Sequence, residues 1–190
     1  MPQTEPQSIG FDTFNCTGFG QTNALEIQHK FRYGEEINFS DRYLGIKAGT
    51  KPPGNDPDKV AEAARNEGLI PENLLPFSPD LKNDEEYFSF KDGNRAECEK
   101  AAKEIKMNYK MGHDWLPRTN GVISDASLKF ALQRGTVCIA IYAFASRGEK
   151  YIRPEGAPDT HWTELPLLKV QENGEKVIFD SYPPFTKTLE

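Results

Sequence analysis

The sequence predicts an α+β fold, with helices filling the first part of the chain and antiparallel strands the second. Three observations predict it. Small and apolar residues recur at helical spacing, between capping residues and closing glycines, from Cys16 to about Lys106. After Gly135, β-branched and aromatic residues take over in three runs, Thr136 to Phe144, His161 to Val170 and Glu175 to Tyr182. The last two runs are joined by Glu172-Asn173-Gly174, and Asn-Gly is a strong hairpin signal. The expected organisation is one two-lobed domain over residues 1–190. Its helical lobe spans about 12–106 and its β lobe about 107–190, and a cleft between lobes is a natural place for a site.

Each helix has its own signals. Cys16, Gly20, Ala24, Ile27 and Phe31 follow at steps of four, four, three and four, which is one face of a long helix that Gly34 ends. Ser40 caps a short helix from Asp41 to Ala48, closed by Gly49. A turn-rich loop, Thr50-Lys51-Pro52-Pro53-Gly54-Asn55, leads to Asp56 as the next cap and Pro57 at the first helical position. Val60, Ala63 and Ala64 give that helix its apolar face, and Gly68 stops it. Leu69 to Pro79 reads as extended and proline-punctuated. Ala101, Ala102 and Ile105 point inward from a helix over about Asn94 to Lys106. Ser124 caps a last helix with Leu128, Ala131 and Leu132 inward and Gly135 as its stop.

Composition bounds the function. The chain has 190 residues, 37% of them hydrophobic, enough for a genuine core. A net charge of −6 leaves no electrostatic footprint for nucleic acid or an anionic membrane. No apolar run is long enough to span a bilayer, and the polar start Met1-Pro2-Gln3-Thr4-Glu5-Pro6 lacks a signal-peptide pattern. With no disulfide framework suggested by three cysteines, a reducing, intracellular setting is expected, unless an upstream segment was left off. No metal or cofactor is expected, and four-cysteine zinc ligation is excluded by count. Cys98, in the charged Asn94-Arg95-Ala96-Glu97-Cys98-Glu99-Lys100, reads as a surface thiol; Cys138, in Val137-Cys138-Ile139-Ala140-Ile141, reads as a core thiol.

Cys16 is the cysteine placed for chemistry. A thiol in the first turn of a helix sits among unpaired backbone N–H groups at the positive end of the dipole, an environment that favours thiolate. Such a nucleophile needs a base, and the base an orienter. His29 lies on the same helix, about 20 Å away at about 1.5 Å per residue, and cannot reach. His113, in Gly112-His113-Asp114-Trp115, reads as a surface or capping residue. His161 opens a strand after the loop from Arg153 to Thr160, and the Asn-Gly hairpin brings Asp180 beside it to hold its ring.

Order and spacing together resemble the papain-like cysteine peptidases. Cys16 heads the long helix, with Glu26 ten residues on, where that family commonly has a glutamate. His161 follows Cys16 by 145 positions, within the family's separation of about 130–150. Asp180-Ser181-Tyr182 stands where the family has Asn-Ser-Trp. Ser40-Asp41, Gly54-Asn55, Gly68-Leu69-Ile70 and Ala131-Leu132-Gln133-Arg134-Gly135-Thr136-Val137 follow its run of landmarks, so the resemblance covers nearly the whole chain.

The resemblance implies a cysteine endopeptidase acting on a peptide or protein substrate through an acyl-enzyme. Cys16 would attack, His161 would protonate the leaving amine, and Asp180 would orient His161. The backbone N–H of Cys16 and the side chain of Gln7 would hold the oxyanion. Gly54 and Asn55 would bind substrate backbone, and Ala140 would line the main side-chain pocket. The chain departs from the family in lacking a cysteine before the nucleophile, a tryptophan after it and disulfides. No prosegment and a β lobe with truncated or replaced last strands are the further departures expected, unless those segments were removed. Two other readings stay open. One is a catalytically degenerate papain-like module kept for a binding or structural role in a larger assembly; the other is a different Cys-His acyl-transfer enzyme, transglutaminase-like or hydrolysing cell-wall peptides. Oligomeric state is not legible.

Overall fold

Caps and closing glycines set out the first half of the molecule in the computed structural model, which describes residues 2–143, 145–147, 150–166 and 175–189. Helix α1 (Cys16–Tyr33) ends at Gly34, in the left-handed region at φ 74°. Ser40 caps α2 (Asp41–Ala48): its Oγ accepts from Tyr43 N at 3.0 Å and donates to the Leu75 carbonyl at 2.6 Å. Asp56 caps α3 (Pro57–Glu67), whose first residue is the expected proline. Gly68 then closes α3 at φ 87°, where a Cβ would lie 2.4 Å from the Ala102 carbonyl oxygen. Only glycine lets the end of α3 approach α5 (Arg95–Asn108) this closely. Between them lie a 3-10 turn (Glu72–Leu74) and α4 (Asp84–Tyr87).

Two apolar clusters hold these helices together. Phe39, Leu44, Val60, Ala63, Ala64 and Leu69 form one; Tyr43, Ile70, Leu75, Cys98 and Ala102 form the other. Arg42, fully buried on α2, ties down the long connection. It donates to the carbonyls of Pro76, Glu86, Tyr87 and Ser89 and pairs with Asp92 at 2.6 Å. A planar fork with five donors suits this role, because a desolvated guanidinium must have its N–H groups satisfied.

The second half begins with α6 (Asp125–Leu132), capped by Ser124. Among the described residues six strands follow: β1 (Val137–Ile141), β2 (Ser146–Arg147), β3 (Lys150–Tyr151), β4 (His161–Leu165), β5 (Lys176–Phe179) and β6 (Thr186–Leu189). They make one sheet in the order β1-β4-β5-β6-β3-β2, antiparallel except for the β3–β6 pair. Leu132 of α6 packs with Leu165 and Ile178 to form the core on this side. The architecture is α+β, as the sequence predicts.

Several expectations change in detail. Phe31 is not on the buried face of α1; it is 59% exposed, while Phe19, Asn23, Ala24 and Glu26 point inward. Apolar spacing misplaces this face because half of what it buries is polar: Thr22 donates to Asp41, and Glu26 accepts from Phe39 N at 2.8 Å. Cys98 is a core thiol rather than a surface one, 1% exposed in the second cluster, with its Sγ 3.7 Å from the Leu74 carbonyl. Gly135 does not end α6 by a left-handed turn. It makes room for Gln28, whose Nε2 would meet a Cβ at 2.3 Å. The Asn173-Gly174 turn, Phe144 and the end of the expected strand at 167–170 lie outside the described residues. Strands β2, β3 and β6 were not foreseen. No helix among the described residues is long and apolar enough to cross a membrane.

Candidate active site

The loop before α1 is shaped by short polar side chains. Asp12 Oδ1 accepts from Phe14 N at 2.7 Å, a local Asx-type turn, and Phe14 itself adopts φ 55°. Asn15 precedes the helix but does not cap it. Its amide instead reaches into the core, donating to the Asp41 carbonyl at 2.9 Å and to Tyr87 Oη at 3.1 Å. That anchor fixes the start of α1 against α2, and Cys16, partly exposed, opens the helix.

Close contact between α1 and the sheet brings His161 to Cys16. A Cβ on Gly20 would meet Trp162 Cδ1 at 2.8 Å, Cys138 Sγ donates to the Gly20 carbonyl at 3.6 Å, and Asn23 hydrogen-bonds Glu164. His161, first residue of β4, is thereby carried to the start of α1. Its Nε2 lies 2.6 Å from Asp180 Oδ1, and its ring also hydrogen-bonds Cys16. With Nε2 taken by Asp180, Nδ1 is left for the thiol. Asp180 directly follows β5, the neighbour of β4, so sheet pairing sets this spacing.

Further groups complete the cluster. Tyr182 places its ring 5.3 Å from that of His161 and donates its hydroxyl to Asp12. Gln7 is 2% exposed; its Nε2 donates to Tyr182 Oη at 2.6 Å and to Asp12 Oδ1 at 3.1 Å, and its Oε1 accepts from Ser181 Oγ at 2.8 Å. Lys187 of β6 sends its buried Nζ to within 2.6 Å of Asp180 Oδ2.

Electrostatics favour a charged imidazole. Burial works against the His161 cation, yet the hydrogen bonds and charges of Asp180 and Cys16 outweigh it and push the ring up to about 9. Burial likewise opposes the Asp180 carboxylate, but His161 and then Lys187 hold it below the ordinary range. Tyr182 is raised, by burial first and then by its bond to Asp12.

The residues singled out from sequence therefore fall into two groups. Cys16, His161, Asp180 and Gln7 are brought into one cluster. Gly54 lies beside the loop that carries Cys16, where a Cβ would be 3.7 Å from the Phe14 carbonyl. Asn55 spends its side chain on local structure, donating to the Ala48 carbonyl and to Thr50 and accepting from Asp56 N. Ala140 sits exposed on β1, opposite Trp162 in the register. A cavity of about 490 Å³ lies elsewhere, against Ile27, Lys30, Phe31 and Ile37, and includes none of these residues.

Sequence reasoning missed Asp12 and Lys187. Asp12 left a signal, since Asp two residues before a backbone donor is an Asx-turn pattern. Lys187 left none, as a lysine among threonines near a chain end reads as solvated.

No protein-family model and no curated protein sequence matches the chain. Solved structures do. The cysteine protease CMS1MS2 of Carica candamarcensis, in complex with E-64, is 16% identical with a TM-score of 0.63 over 100% of this chain and 83% of that one. The bromelain protease of Ananas comosus, also bound to E64, is 14% identical with a TM-score of 0.67 over the same shares. Digestive procathepsin L 3 from the larval midgut of Tenebrio molitor is 15% identical with a TM-score of 0.66; all of this chain aligns, spanning 62% of that one. At such identities the likeness is one of architecture, and the chain has a papain-like fold.

Proposed function

We propose that the protein is a cysteine endopeptidase. One observation carries the reading: the His161 ring sits between Cys16 and Asp180, hydrogen-bonded to both. A thiol that passes its proton to an imidazole held at its other nitrogen is an activated nucleophile. Cys16 Sγ attacks the peptide carbonyl, forming the C–S bond. The oxyanion receives hydrogen bonds from the Cys16 backbone N–H, free in the first helical turn, and from Gln7. His161 then gives its proton to the departing amine, leaving a thioester. Water, deprotonated by the now neutral His161, cleaves that thioester and restores the pair. Gly54 and Asn55 flank the path of the substrate backbone, and Ala140 its side-chain pocket.

A second reading, a papain-like binding module without turnover, is favoured by the Gln7 amide. Both of its hydrogens are already engaged, by Asp12 and Tyr182, so it serves an oxyanion only by giving one up. Treatment with E-64, the inhibitor bound by the Carica and Ananas enzymes, separates the two. The peptidase reading expects one equivalent on Cys16 by mass, lost in His161→Ala. A native protein left unlabelled would favour the module.

A further inference from the structure

An aspartate beside a catalytic imidazole poses a problem. A second buried negative charge next to His161 favours the cation so strongly that the ring would give up its proton only with difficulty. The groups packed around this pair are Cys16 from α1, Glu164 from β4, Tyr182 and Asp12 beside the ring, and Lys187 from β6. Burial and then Asp180 push the Glu164 carboxyl well above the ordinary range, toward its neutral form. Lys187 is the cation of the group.

Its setting is built rather than incidental. The register pairs Lys187 with the fully buried Ile178, so its side chain shares that inward face, and it is 0% exposed. Nζ donates to the carbonyls of Tyr182 at 2.5 Å and Pro184 at 2.8 Å, and stands 5.5 Å from the Tyr151 ring. Asp180 Oδ2 lies 2.6 Å from the same ammonium, in a buried ion pair. Oδ1 is left to His161.

We propose that Lys187 is a positioning residue of the site: its buried ammonium neutralises Asp180 and turns the carboxylate so that Oδ1 faces His161, letting an aspartate orient the ring without trapping its proton. The bearing on catalysis rests on the peptidase reading, but the electrostatic claim stands without turnover. It makes Asp180 and Lys187 one functional unit, equivalent together to a neutral acceptor.

The test is an NMR titration of the His161 ring, assigned by its loss in His161→Gln. It compares the wild type with Lys187→Met, Asp180→Asn and the double variant. Lys187→Met should move the His161 midpoint up by about one pH unit or more, and Asp180→Asn should move it down. The double variant should return it to within about one unit of wild type and recover the melting temperature lost in each single variant. If Lys187→Met does not fold, the double variant decides. A midpoint as low as that of Asp180→Asn overturns the proposal, as does an unmoved midpoint in folded Lys187→Met. The predicted shifts in a protein that cleaves no peptide would uphold Lys187 and remove the peptidase reading.

Discussion

At the scale of single residues, the account depends on how each polar group near Cys16 is engaged. Asp180 and Cys16 push His161 up to about 9, so under the proposed peptidase function peptide turnover should fall above that pH, when the leaving amine finds no proton. A kcat/KM profile checks this; an upper limb near pH 6.5, the ordinary imidazole value, would show that Asp180 and Cys16 do not bias the ring. Gln7 gives a second prediction. Its amide is gathered with Asp12 and Tyr182, and replacing it with alanine should cost about 10²–10³ in kcat with KM little changed, the usual loss for one oxyanion donor. A change in KM alone would assign Gln7 to substrate binding.

At the scale of elements, the site exists because α1 and β4 approach closely at glycine. Gly20→Ala should force Trp162 and the strand away from the helix, slowing reaction of Cys16 while circular dichroism stays that of the native protein. Gly68→Ala should destabilise by about 1–3 kcal/mol in denaturant unfolding, because its new Cβ meets the Ala102 carbonyl and its φ is left-handed. Much of this was legible in the sequence. Caps at Ser40, Asp56 and Ser124 and stops at Gly34, Gly49 and Gly68 are local signals, set by one residue's own backbone needs, and they lie where the sequence puts them. The order of Cys16, His161 and Asp180 was legible too, as a pattern shared with a known fold. What depended on partners far along the chain was not. Phe31 and Cys98 were misplaced because burial of α1 rests on polar contacts to Asp41 and Phe39, and that of α5 on Leu74 and Tyr43. Lys187 faces inward only because β6 pairs with β5 in one register.

At the scale of the whole molecule, buried carboxyls shape stability. Burial pushes Glu26 and Glu72 up to about 8, and Glu5, Asp41 and Glu164 are raised as well; Glu5 and Asp41 are hydrogen-bonded to each other, which requires a shared proton. For Glu26 and Glu72 the native state binds protons that the unfolded chain has released, so their contribution is full below about pH 4.5 and is lost as pH rises through about 8; Glu5, Asp41 and Glu164 act in the same direction. The raised imidazole of His161 acts in the same direction between its ordinary value and about 9. Asp180 opposes them, its contribution being lost as the pH falls below the ordinary carboxylate range. The melting temperature should therefore drop by at least about 5 °C from pH 5 to pH 8, at about 2–4 °C per kcal/mol for a chain of this size. A flat profile would mean that these carboxyls reach water. Every step proposed for the site begins with proton transfer between Cys16 and His161, and the rate of Cys16 alkylation by iodoacetamide against pH reports on that transfer. The rate should change near pH 9, as His161 loses its proton, and that change should vanish in His161→Ala. A rate profile with no feature near pH 9, or one identical in His161→Ala, would overturn it.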